Sequence, residues 1–189
     1  MYPYLRFALA LLKVRKAPPL NIHDTHVSHL RIWPGDIDPW MELNNGRTLT
    51  LYDLGRIPFA VRCGFTRVLR QKGWGLTVAG SVVRYRKRLT LFTKVEMQTR
   101  MLGWDDKFIY IEQSMWTEDG TCANHGVLRT GIIRNRKLVP TAEVIEALGG
   151  TDGVLSLPDW AREMFEAENA RDWPPTRTTV DETPRPPVN

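Results

Sequence analysis

Trp33-Pro34-Gly35-Asp36-Ile37-Asp38-Pro39-Trp40-Met41-Glu42-Leu43-Asn44-Asn45-Gly46-Arg47 is the stretch on which the fold turns. It follows a strand-like run, places two acidic residues in a turn and then opens a helix. Pro34-Gly35 marks the turn. Asn44 and Asn45 suit a helix start, where a short side-chain oxygen accepts one of the unpaired first-turn N–H groups. The layout aims Asp38 at the first turn of a helix that begins near Asn44 or Asn45. The free amides and the positive dipole end of that helix form an anion site. A carboxylate beside an anion site is what hydrolysis of an acyl group requires. One group attacks or activates water, and the other holds the developing oxyanion.

Working outward, residues 25–33 alternate, with Val27, Leu30 and Ile32 among polar residues, and read as a strand. Downstream, Leu49, Tyr52, Leu54, Ile57 and Val61 recur at helical spacing, and Leu51 and Phe59 widen the apolar surface beyond one stripe. Such a helix is buried on several sides. Pro58 is expected to kink it or to start a short second segment. From Leu76 the period changes to two. Residues 78–91, 94–102, 107–117 and 122–134 are strand-like, separated by Gly103-Trp-Asp-Asp106 and Glu118-Asp-Gly120, and are expected to pair as an antiparallel meander. Strand, long buried helix, then four long strands predicts an α+β fold whose antiparallel sheet wraps one central helix.

Residues 140–148 read as a short helix stopped by Gly149-Gly150, and 158–170 as an amphipathic acidic one. The expected organisation is an N-terminal helix over 1–20, the main domain over 21–150, a helical extension over 151–173 and a disordered tail over 174–189. The Pro-rich tail has too little apolar surface to fold alone.

Composition narrows the classes. At 189 residues, 42% hydrophobic and 25% charged, the chain supports one well-buried core. Cys63 and Cys122 give no disulfide framework, which fits a reducing cytoplasm, and both read as structural thiols. The net charge of +5 and pI near 9.4 favour an anionic partner. No nucleic-acid motif accompanies that charge, so nucleic acid is not the expected partner. His23, His26 and His29 are spaced by three, which on a strand alternates faces, so no metal site is expected. Residues 2–12 are apolar apart from Arg6, and Lys13, Arg15 and Lys16 follow. That is the reverse of a signal-peptide order, and the run is too short to span a bilayer. It reads as a helix that docks on the core or a dimer, with weak attachment to a membrane surface as the other reading.

Asp36-Ile-Asp38-Pro-Trp-Met-Glu-Leu-Asn44-Asn45-Gly-Arg-Thr resembles the pattern Asp-x-Asp-(Ala/Pro)-x-Gly-His-(Val/Met)-Asn-Asn-x-x-Tyr of hotdog-fold acyl-CoA thioesterases, in the 4-hydroxybenzoyl-CoA thioesterase-like branch. The likeness runs on through Arg84-Tyr-Arg-Lys-Arg-Leu89 and Leu102-Gly-Trp-Asp-Asp106 and covers residues 25–140. Met41 stands where the family often has Gly, and Glu42 where it often has His. The resemblance implies hydrolysis of an acyl-CoA thioester to free acid and CoA without a cofactor. It also implies a homodimer or dimer of dimers with the active site between subunits. Asp38 is then the catalytic residue, as nucleophile through a mixed anhydride or as general base on water, its plain structural role being an Asx turn. The backbone amides of Asn45 and Gly46 are the expected oxyanion hole, with Asn44 as the cap. Asn44, Glu42, Arg86 and Arg88 are the expected substrate-binding residues; Glu42 orients water or faces solvent. Asp36 reads as structural, and Asp53 as the partner of Arg56 one turn along. A dehydratase of the same fold relies on a His–acid pair, and Glu42 occupies the position of that His. The remaining alternative is a non-catalytic acyl-CoA or lipid binder, which Met41 and Glu42 favour.

Overall fold

In the computed structural model, which describes residues 2–150 and 156–177, helix α1 (Tyr4–Arg15) precedes strand β1 (His26–Arg31) and a 3-10 turn at Pro34–Asp36. Then come the long helix α2 (Asn45–Arg62) and the short α3 (Phe65–Lys72). Strands β2 (Gly75–Tyr85), β3 (Lys94–Trp104), β4 (Ile109–Thr117), β5 (Cys122–Arg134) and β6 (Lys137–Leu138) follow, and then α4 (Thr141–Ala147). These lie in a unit bounded by Met1–Pro158; the unit Asp159–Asn189 holds α5 (Asp159–Glu166) and a 3-10 turn at Ala167–Ala170. Residues 151–155 of the expected extension and 178–189 of the expected tail lie outside the described residues.

All strand pairs are antiparallel, in the order β1-β3-β4-β5-β2, with β6 beside β5. The meander expected from the sequence holds for β3-β4-β5 but not for β2, which crosses to the far edge and pairs with β5. The reason is visible in residues 86–93, of which 86–91 read as strand in sequence but which form a crossover. The Arg86 and Lys87 amides donate to Ala123 O, the Leu43 amide to Leu89 O at 2.7 Å and the Phe92 amide to Ile32 O. The segment is thus hydrogen-bonded in turn to β5, to the lead-in of α2 and to the end of β1. Leu89 is buried at its centre.

α2 lies across the inner face of the sheet and presses on it at two glycines. A Cβ on Gly55 would come 2.7 Å from both Met97 Cε and Thr99 Oγ1, and one on Gly126 would come 2.7 Å from Tyr52 Cε2. Between these contacts the buried Gln113 side chain donates from Nε2 to Tyr52 O at 2.8 Å and to Thr99 Oγ1 at 2.9 Å. One core cluster gathers Leu51, Tyr52, Met97, Met115 and Leu128; a second gathers Phe59, Phe65, Met101, Ile109 and Ile132.

Pro58 neither breaks α2 nor starts a new segment. The helix continues to Arg62, and the short second helix begins only after Gly64, whose φ of 74° is left-handed. An interior proline costs about 3 kcal/mol, and here the ring is buried within the helix's inner surface, which offsets part of that cost. Helix α1 packs on α2, with Phe7 against the core cluster and Val14 buried, while Leu5, Leu9 and Leu12 stay exposed on its other face. Among the described residues no helix is long and apolar enough to cross a membrane.

Candidate active site

Asp36 organises the approach to α2. Its carboxylate is 1% exposed and accepts from the Trp33 amide at 3.0 Å, from Arg6 Nη1 at 2.7 Å and from Arg47 Nε at 2.7 Å. One buried anion thereby ties α1, the turn and the first turn of α2 together. Burial alone would raise its pKa, but the Trp33 amide, Arg47 and Arg6 outweigh that and hold it below the usual aspartate value.

Asp38 sits in the next turn, half-buried. The Trp40 and Glu42 amides donate to its Oδ1 at 2.9 and 3.4 Å, and Oδ2 has no partner among the described residues. The chain closes with the Met41 amide donating to Asp38 O at 3.0 Å and the Asp38 amide to Glu42 O at 2.9 Å. Met41 adopts φ 61°, which costs a residue with a Cβ about 1 kcal/mol. This is the position at which the resembling family often has Gly, and glycine takes that conformation freely.

Asn44 caps α2, its Oδ1 accepting from the Arg47 amide at 3.1 Å. The Asn45 and Gly46 amides make no hydrogen bond among the described residues, as expected of first-turn donors. Two open cavities flank this helix start. One, of about 510 Å³, is lined by Asp38, Asn44, Arg47 and Thr50, with Asp36 behind. The other, of about 240 Å³, holds Glu42, Asn45, Thr48, Arg86 and Arg88. The structure therefore brings Glu42, Asn45, Arg86 and Arg88 to one side of the helix start and leaves Asp38 on the other. Glu42 and Arg88 face each other as an ion pair at 2.8 Å. Lys87, in the same basic run, pairs with Asp119 at 2.7 Å.

Two residues of the second cavity were not singled out from sequence. Tyr85 donates to Asn45 O at 3.1 Å, and Asn124, at the floor, accepts from the buried Tyr52 hydroxyl at 2.8 Å. Burial raises the pKa of Tyr52 and of Tyr85, so both stay neutral donors. Asn124 had a detectable signal, an amide side chain at a strand position facing the core. Tyr85 had none.

The other candidates resolve simply. Asp53 pairs with Arg56 and accepts from Tyr2 at 3.3 Å. His26 faces inward, bonded to Ser28 and to Arg62 at 3.0 Å each, and burial beside Arg62 lowers its pKa to about 4. His29 is exposed, on the opposite face from His26. His125 reaches Glu112 at 2.8 Å on the sheet face away from α2. Burial raises the Cys63 thiol to about 12, which makes it a poor nucleophile.

An antiparallel sheet wrapped on one long helix, with the helix start open to solvent between a carboxylate and a basic strand end, is the hotdog architecture. Residues 32–149 match the Thioesterase-like superfamily, and the chain belongs to that family. Protein THEM6 of Xenopus laevis is 34% identical over 111 residues, 58% of this chain and 54% of that protein; Protein THEM6 of Drosophila melanogaster is 27% identical over 73% of this chain and 66% of that protein. The chain thus spans between about half and two thirds of the length of these relatives. Among solved structures, DHNA-CoA thioesterase of Staphylococcus aureus superposes with a TM-score of 0.57 at 17% identity, covering 77% of this chain and 93% of that one. Gentisyl-coenzyme A thioesterase superposes at 0.56 with 19% identity, covering 64% and 98%. At these identities the solved structures establish the fold.

The Asp36 hub yields a signed expectation. Asp36→Asn should destabilise the fold by about 3 kcal/mol at neutral pH, because it strips a buried anion from two arginines. Asp36 is depressed in the native state, so its contribution is fully present above the unfolded aspartate pKa of about 3.9. It is lost as pH falls through the lower native value. Urea denaturation of both proteins should therefore show a gap that is constant from neutral pH to about pH 5 and closes in stronger acid. A gap that widens on acidification would contradict the assignment.

Proposed function

We propose that this protein hydrolyses an acyl-CoA thioester to the free acid and CoA at the start of α2. The observation that carries this reading is a pair of amides, Asn45 and Gly46, and a carboxylate oxygen, Asp38 Oδ2, that flank one helix start and are unbonded among the described residues. A thioester laid across the helix end, rather than held in either cavity alone, meets both. Its carbonyl oxygen accepts from the two amides, which stabilise the tetrahedral oxyanion more than the ground-state carbonyl. Asp38 acts in one of two ways. As general base it takes a proton from a water that adds to the carbonyl carbon. As nucleophile it forms a mixed anhydride that water then cleaves. In either case the sulfur departs with the CoA and is protonated. Arg86 and Arg88 form a basic rim suited to CoA phosphates, Glu42 holds Arg88 in place, and Asn44 keeps the amides free by capping. Both solved relatives named above are thioesterases of coenzyme A esters by name, which supports that substrate class.

The separation of Asp38 and Asn45 into two cavities favours a second reading, an acyl-CoA binder that leaves the thioester intact. Thiol release measured beside binding on a panel of acyl-CoAs decides between them. The catalytic reading expects thiol release proportional to protein, and Asp38→Asn should lower it about 10²-fold while leaving binding unchanged. Saturable binding with no thiol release from any chain length establishes the binder. Release within a few-fold of wild type in Asp38→Asn moves the catalytic role to another carboxylate, with Glu42 the one that shares a cavity with Asn45.

The reading includes a homodimer or a dimer of dimers. β2 is an edge strand whose unpaired backbone is exposed along with Leu76, Val78 and Val82, and a second copy covers such an edge. Light scattering at micromolar concentration should show at most a minor monomer; a stable monomer overturns this assembly.

It also includes weak contact of α1 with a membrane surface. Leu5, Leu9 and Leu12 share the exposed face, and Lys13, Arg15 and Lys16 follow them at solvent. Sedimentation with anionic phospholipid vesicles should carry the protein down in a salt-sensitive way, and Leu9→Glu should abolish it. Equal recovery with neutral and anionic vesicles would contradict the idea.

A further inference from the structure

Eleven residues past Asn45 along α2, Arg56 presents an unsolved polar problem to the fold. Its side chain is only 14% exposed and gives Nη2 to Asp53. Nε and Nη1 are buried and have no partner among the described residues. Thr130 on β5 is 3% exposed, and its Oγ1 is also buried without a partner. Both residues line one small cavity of about 30 Å³, whose other walls include Phe59, Phe65, Leu76 and Met101. Buried polar atoms are nearly always bonded, and two side chains with unbonded polar atoms on the wall of one apolar cavity mark a place where a polar group fits.

Between that cavity and the helix start runs the α2-facing row of β2, a strip of side chains of which several stay exposed. Val78, Ser81, Val83 and Tyr85 of β2 stand opposite Thr130, Leu128, Gly126 and Asn124 of β5 and so share the face turned to α2. Yet Leu76 is 39% exposed, and Val78 and Tyr85 are each 43% exposed. At one end Tyr85 is bonded to Asn45, and at the other Leu76 shares the cavity with Arg56. The strip runs for about 16 Å at 1.5 Å of helix per residue. An extended chain advances about 1.2 Å per bond, so about a dozen carbons span it from a carbonyl at the Asn45 and Gly46 amides.

We infer that Arg56 and Thr130 select an acyl group bearing a hydroxyl near its far end. Arginine offers only donors, and a threonine hydroxyl also accepts. A ligand hydroxyl satisfies both, its oxygen accepting from Arg56 and its O–H donating to Thr130 Oγ1. A distal carboxylate fits less well, because Asp53 already balances the guanidinium and a second anion would be buried in excess. A plain alkyl end leaves both side chains unsatisfied. The inference rests on the helix start as the thioester site, and it names the substrate class for that site.

The test compares dodecanoyl-CoA with ω-hydroxydodecanoyl-CoA, measuring the dissociation constant by calorimetry and thiol release in parallel. Wild-type protein should bind the hydroxylated ester about tenfold more tightly. Thr130→Val, which keeps the volume and loses the acceptor, should bring the ratio near one while preserving affinity for dodecanoyl-CoA. Arg56→Lys, which keeps the charge beside Asp53 but loses the planar fork, should reduce the ratio by an independent route. Equal wild-type affinities, the result if a second copy of the chain fills the cavity, overturn the inference even where both esters are hydrolysed. A preference that survives in Thr130→Val overturns it as well. A preference lost in Thr130→Val without any thiol release supports the inference and removes hydrolysis. Failure of both esters to bind overturns the inference and the thioester site together.

Discussion

The distance between α2 and the sheet is the constraint on which the rest depends. Gly55 on the helix and Gly126 on β5 let the two approach until a single methyl at either site would overlap a neighbour at 2.7 Å. Overpacking of that kind forces backbone to move, at a cost of about 1–3 kcal/mol. At this spacing Gln113 spans the gap to a helix carbonyl, and Tyr52 lies over Gly126 with its hydroxyl on Asn124. The helix is therefore held in rotation as well as in height. Its first turn arrives at one place relative to the sheet, and that place is the candidate site.

The same rigidity explains why so much of the site is backbone. The first-turn amides of a well-fixed helix are donors that need no side-chain entropy to position. Asn44 takes one of them for the cap, and Asn45 and Gly46 keep theirs. Asp36 spends a buried anion on structure, fastening α1 and Arg47 to the turn, which leaves the neighbouring Asp38 less constrained. Met41 holds a left-handed conformation so that the Asp38 turn closes. Strain and burial are thus concentrated in the residues around the candidate catalytic group rather than in the group itself.

On the other flank the fold is left unfinished. β2 crosses to the far edge of the sheet, and among the described residues no strand pairs with its outer edge. Apolar residues facing the helix remain half exposed there, and Arg56 and Thr130 carry unbonded polar atoms at the end of the strip. Behind this wall Phe59, Phe65, Met101 and Ile109 pack into one buried cluster. Under the proposed function, a second subunit's edge and an acyl chain are what complete the wall.

Local chemistry was legible in the sequence. The Asn cap, the turn at Pro34-Gly35, the structural role of Asp36, the Asp53–Arg56 pair and the opposite facing of His26 and His29 all follow from spacing, because each involves neighbours within a turn or a strand. The wide apolar surface of α2 and the period-two runs after Leu76 were enough to place one helix against an antiparallel sheet. Only the tertiary structure decided that β2 pairs with β5, since alternation states which face of a strand is apolar and not which strand lies beside it. It also decided that residues 86–93 cross over, that α2 runs through Pro58 and that α3 exists. The division of Asp38 and Asn45 between two cavities, the Tyr52–Asn124 bond across 72 positions and, among the described residues, the unbonded Nε and Nη1 of Arg56 and Oγ1 of Thr130 belong to the same class. Each depends on groups far apart in the chain, and their meeting is set by packing geometry that no local pattern of residues encodes.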